Sequence, residues 1–164
     1  MGVRPRLRGL LILAVALVLF SGCAATSSAH TTAGTTATTG PVTVTTNLPS
    51  YTTGDAIGVT VTNTSKTDFY TQDGKSACTV VQLERYDSQK ATWTHVDLCN
   101  NGQATQVFTI AESSSVPYTL APNSPGDTNA WQSGTYRVAV TYSSQADGVS
   151  NPQEAHSAAF NIKG

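Results

Sequence analysis

The sequence predicts an all-β fold, an antiparallel β-sandwich of about seven to nine strands filling residues 42–164. From Pro41 onward the chain consists of short runs rich in Val, Thr, Tyr and Ile, each bounded by Gly, Pro, Asn, Asp or Ser, which is the pattern of strands separated by turns. The clearest runs alternate apolar and polar residues with period two. No stretch of ten residues carries the helical period, so helix is expected to be minor.

The first run is Val42 to Thr46, followed by a turn-rich segment, Pro49 to Asp55. In the next, residues 56–63, Ile57, Val59 and Val61 alternate with Gly58, Thr60 and Thr62, as a half-buried antiparallel strand requires. Residues 69–71 form a short run before a turn at Asp73-Gly74, and residues 78–86 a longer one. Asp87 to Lys90 then join that run to residues 92–98 as a hairpin. Strands are expected at 107–111 and 116–120, separated by the polar Glu112 to Ser115, and a Pro- and Gly-containing loop follows from Ala121. Gly134 to Tyr142 is the strongest strand signal, with Tyr136, Val138, Val140 and Tyr142 on one face. The last run is 156–162, where Ala158, Phe160 and Ile162 share a side. Seven to nine strands at this spacing imply two packed sheets, each hiding one face.

Three short motifs resemble those of immunoglobulin-like domains of bacterial surface and secreted proteins: Tyr51-Thr52-Thr53-Gly54-Asp55 before an alternating strand, Gly134-Thr135-Tyr136 opening a penultimate strand, and the closing Phe160-Asn161-Ile162. The resemblance implies an immunoglobulin-like sandwich. It also implies a tyrosine corner, with the Tyr136 hydroxyl bonded to backbone at the sheet edge. Val138 stands where antibody domains place their second inter-sheet cysteine. The match is therefore one of fold class.

Ahead of this domain lie two segments of different character. Met1 to Gly9 carries Arg4, Arg6 and Arg8, and Leu10 to Phe20 is an uninterrupted apolar run too short for a comfortable membrane span, the pattern of a secretory signal. The signal ends in Phe20-Ser21-Gly22-Cys23, which resembles the bacterial lipobox, with Phe20 in place of the usual Leu. The resemblance implies cleavage after Gly22 (signal peptide 1–22) and lipidation of Cys23. Two buried acyl chains would then hold the protein to the extracytoplasmic face of the cell membrane. Residues 23–41 are almost entirely Thr, Ala, Ser and Gly with His30 among them, and lack any large side chain to bury. Such a segment is expected to be a disordered tether reaching roughly 60 Å when stretched.

Three cysteines are an awkward number for an exported protein. Assigning Cys23 to lipid leaves Cys78 and Cys99 as the natural disulfide pair, closing a loop worth on the order of 3 kcal/mol. Metal ligation is the alternative, but neither cysteine stands at zinc-finger spacing from a His or a further Cys. Removing the leader arginines leaves six Lys and Arg against ten Asp and Glu. A mildly acidic domain without a basic cluster lacks the footprint of a nucleic-acid binder.

The sequence holds no Gly-x-Ser-x-Gly elbow, His-Glu-x-x-His, phosphate-binding glycine loop or calcium loop. Asp73 and Asp127 read as turn formers. His95 and Trp93 stand two apart on one strand and therefore share a face, so they form either an aromatic-histidine surface patch or plain surface. Trp131 reads as packing at the end of the sandwich. The expectation is a non-catalytic module without a cofactor that contacts a protein, a glycan or an envelope component through loops. The alternatives are a proteinase inhibitor presenting residues 121–130, and a metal or redox enzyme.

Overall fold

In the computed structural model the described residues are 40–74, 80–96, 104–122 and 131–164; of residues 73, 74, 104 and 105 only the backbone is described. Eleven strands account for their regular structure, and none of these residues is helical. They are β1 (Val42–Thr46), β2 (Ser50–Thr52), β3 (Ile57–Asn63), β4 (Phe69–Gly74), β5 (Val81–Asp87), β6 (Thr92–His95), β7 (Ala104–Ile110), β8 (Ser115–Leu120), β9 (Gly134–Tyr142), β10 (Gln153–His156) and β11 (Phe160–Lys163).

One sheet has the order β1-β3-β8 and a second the order β2-β11-β9-β5-β6, with β10 also paired to β9. A ribbon of β4 and β7 joins the second sheet through a bridge between Tyr70 and Ser143. The predicted alternation holds where it was strongest. β3 buries Ile57, Val59 and Val61, and β9 buries Tyr136, Val138, Val140 and Tyr142. These two rows, with Val42, Val44 and Leu120 from the first sheet and Leu83, Phe160 and Ile162 from the second, form one buried apolar cluster between the sheets. The architecture is thus an all-β sandwich.

Three expectations need correction. Ser50–Thr52, read as part of a turn, is a strand and pairs in parallel with β11, the one parallel pairing among the described strands. Ser50-Tyr51-Thr52 is too short to show a period, and its partner lies more than a hundred residues away. The final run is broken rather than continuous: β10 places His156 opposite Ala139, whereas β11 places Phe160 opposite Tyr136, a one-residue shift between them. Ser157 fills the break, its hydroxyl accepting from the Val138 N–H at 2.9 Å. Phe160 and Ile162 are buried as expected, while Ala158 lies in the interruption rather than on a strand. β4 likewise runs on through Asp73-Gly74, where the register shifts instead of the chain turning.

Strand registers fix the two ends of the sandwich. The chain enters the domain at Gly40, beside Val42, which faces Asn63 at the end of β3. Asn63 is fully buried and donates to the carbonyls of Thr67, Ile110 and Ala111, tying the β4–β7 ribbon to this end. At the opposite end Trp131 is buried and its indole N–H donates to the Asp55 carbonyl at 2.8 Å. The Tyr136 hydroxyl donates to the Gln132 carbonyl at 2.7 Å, the tyrosine-corner bond expected from the sequence. β5 finishes at this second end, with Arg85 opposite Tyr136, so the β5–β6 hairpin projects away from the end where the chain enters.

Candidate functional site: the outer face of the β5–β6–β9–β10 sheet

Strand alternation sorts the side chains of this sheet. Leu83, Val138 and Ala155 point into the core, so Glu84 and Tyr86 on β5, Arg137 on β9, and Glu154 and His156 on β10 point outward. Cross-strand pairing of Tyr86 with Trp93 and of Glu84 with His95 brings both β6 residues to the same outer face. Trp93 and His95, read from the sequence as either a surface patch or plain surface, thus share the outer face with a wider group of side chains.

The group is cross-braced. The Trp93 and Tyr86 rings lie 5.2 Å apart between centroids and are tilted by 55°. Arg137 reaches across β5 to set its guanidinium carbon 4.5 Å from the Trp93 ring centroid. Its Nε donates to Glu84 Oε2 at 2.5 Å, and the two residues are direct cross-strand partners. These side chains are only 23% and 15% exposed, so the pair is better shielded than an ordinary surface ion pair. His156 Nε2 stands 3.9 Å from Glu84 Oε2 and 3.6 Å from Glu154 Oε2, extending the row onto β10.

Tyr86 is 39% exposed, Trp93 is half-buried and His95 is exposed. Two aromatic rings are thus held in one arrangement by a guanidinium while still meeting solvent. Among the described residues the two terminal Nη groups of Arg137 make no hydrogen bond, so most of its donors are unspent. A surface of this kind offers rigid apolar area and directed hydrogen bonding with little left to order on binding.

The hairpin that carries the patch is shaped locally. The Asp87 carboxylate accepts from the N–H groups of Gln89 and Lys90 at 2.9 and 3.2 Å, bonds that hold its pKa below the usual carboxylate range. Ala91 closes the turn at φ 52°, in the left-handed region that glycine favours.

Cys23, Cys78, Cys99, Asp127 and His30 lie outside the described residues, as do residues 123–130 of the loop considered for inhibition. Trp131 is a core residue whose indole bonds backbone, in agreement with the packing role read from the sequence. Sequence reading missed Tyr86, Glu84, Arg137 and His156. Tyr86 and Glu84 were within reach, because pairing the two arms of the predicted hairpin brings them beside Trp93 and His95. Arg137 and His156 depend on which strands neighbour β5, a long-range property with no local signal. No protein-family model matches the chain, and no curated protein matches it.

Proposed function

We propose that this chain is an exported, lipid-anchored, non-catalytic binding module that engages its ligand through the outer face around Trp93. In this reading the leader 1–22 is removed, Cys23 carries lipid, residues 23–41 form the tether, Cys78 and Cys99 form a disulfide, and the domain is immunoglobulin-like. The charged leader, the lipobox-like Phe20-Ser21-Gly22-Cys23 and the otherwise odd cysteine support the anchoring. The tyrosine-corner bond of Tyr136 supports the domain type.

The observation that carries the binding role is the braced set Tyr86, Trp93, Arg137 and Glu84, held by ring contacts and a charge-assisted bond yet open to solvent. Its place on the hairpin away from Gly40 suits a module presented outward from its anchor. Loops at that end, where the sequence alone suggested contact, would flank this face.

Two measurements test the reading. Mass spectrometry of the protein from its native host should find residues 1–22 absent, acyl chains on Cys23 and a Cys78–Cys99 bridge; an unmodified Cys23 thiol would refute the anchoring. A photo-reactive amino acid introduced in the full chain at His95, which shares the outer face with Trp93, should give cross-linked adducts in whole cells. The same group at Thr43, on the other sheet, should give far fewer, and equal yields at the two positions would refute the binding face.

A further inference from the structure

We propose that the Trp93 face recognises neutral glycans, one pyranose ring stacking on the Trp93–Tyr86 pair. This rests on the binding role proposed above and adds the chemical class of the ligand. A pyranose has an apolar face of axial C–H groups and a rim of equatorial hydroxyls. It is matched by a flat ring flanked by planar hydrogen-bonding groups, and each part of that description has a counterpart here.

The Trp93 indole is braced by the Arg137 guanidinium at 4.5 Å, and the Tyr86 ring stands beside it at 55°, giving an open angle instead of a closed stack. Arg137 keeps its two Nη groups for vicinal hydroxyls while Nε is fixed by Glu84. His95 is exposed on the same face directly opposite Glu84.

The charges decide between ligand classes. On β5, β6, β9 and β10 the outward carboxylates Glu84 and Glu154 outnumber the single guanidinium of Arg137, so this part of the face, apart from its histidines, disfavours uronates, sialic acids and phosphates. A protein partner would need a broad apolar centre, since a standard interface covers about 800 Å² per side. Beyond the two rings the outward positions of β5, β6, β9 and β10 are polar, Gln82, Thr135 and Thr141 together with the carboxylates, guanidinium and histidines named above, with Ala139 the one apolar residue among them, a surface that suits a sugar better than a second protein core.

Tryptophan emission tests this directly, because the chain has two tryptophans and Trp131 is buried 4% exposed in the core. The full chain is titrated with cellohexaose, mannohexaose and the N-acetylglucosamine hexamer, with an oligogalacturonate as the acidic comparison. At least one neutral probe should shift the emission below about 10 mM, with the acidic probe at least about ten-fold weaker. Because the Trp93 variants lack the reporting indole, affinity of the variants is read by isothermal titration calorimetry: Trp93→Ala should bind at least about ten-fold more weakly than the unaltered chain, Trp93→Phe should retain part of the binding, and Arg137→Gln should weaken it, while Trp131 emission still reports a folded core.

The proposal is overturned if all three neutral probes fail, if the acidic probe binds better, or if Trp93→Ala and Trp93→Phe bind as the unaltered chain does. Failure of the sugars together with a protein adduct from the probe at His95 would remove the glycan and keep the binding face. Failure of both would remove both.

Discussion

The guanidinium of Arg137 lies over the ring of Trp93, 4.5 Å from its centroid, although the two residues sit on strands separated by β5. Glu84, on that intervening strand, holds the guanidinium in place through Nε. Removing the arginine therefore frees the indole and leaves Glu84 beside Glu154 and His156 without its cation. Arg137→Ala should destabilise the domain by roughly 1–2 kcal/mol, from the lost cation–π contact and the lost charge-assisted bond together. Urea denaturation measures the loss, and Trp93 emission should shift to the red in the folded variant.

Ala91 closes the β5–β6 hairpin at φ 52°, a conformation that costs a Cβ-bearing residue more than it costs glycine. Ala91→Gly should raise stability by about 0.5–1 kcal/mol, in contrast to glycine substitutions elsewhere in strands, which lower it. A thermal melt showing a lower midpoint for Ala91→Gly would contradict this account of the turn.

Tyr136 spends its hydroxyl on the Gln132 carbonyl while its ring packs against Phe160 at a centroid distance of 6.2 Å. Burial raises its pKa, with nearby Arg85 acting in the opposite direction. Tyr136→Phe keeps the ring and deletes the bond, so it should cost about 1 kcal/mol. Leu83→Ala, in the same core and fully buried, should cost about 2–5 kcal/mol through the cavity it leaves. Denaturation of the two variants side by side should preserve that order.

Acidification should loosen the β9–β10 connection. The Asp147 carboxylate accepts from the Ser150 hydroxyl and from the N–H groups of Ser150 and Val149, and these bonds lower its pKa. A carboxyl whose folded pKa is depressed contributes stability that is complete above its unfolded value and is lost as pH falls through the folded one. The loss therefore belongs to the range below about pH 4. The melting temperature of the unaltered chain should fall more steeply between pH 5 and strong acid than that of Asp147→Asn, in which this group no longer titrates.

The parts of the fold legible in the sequence are those with strong local pattern. β1 and β9 coincide with the runs Val42 to Thr46 and Gly134 to Tyr142, and the Asp87–Lys90 turn correctly joined two strands, because alternation and turn chemistry are written within a few residues. β7 runs Ala104–Ile110 where 107–111 was expected, and the expected edges at 78–79 and 97–98 lie outside the described residues. β2 was invisible since its pairing with β11 is made by a partner at the far end of the chain. The break between β10 and β11 was hidden for a related reason, as an unbroken apolar alternation through Ala158 gives no sign that Ser157 will spend its hydroxyl on β9. The candidate site follows the same rule: Trp93 and His95 were visible as a same-face pair, whereas Arg137 reaches them only because β9 lies beside β5.

The most direct test of the binding face is hydroxyl-radical footprinting of the full chain, compared between intact cells of its native host and the purified protein. Trp93, Tyr86 and His95 should be protected in cells, while the exposed Val107, Phe108 and Val149, none of which lies on this face, should react alike in both settings. Equal labelling of Trp93 in cells and in isolation would contradict the account.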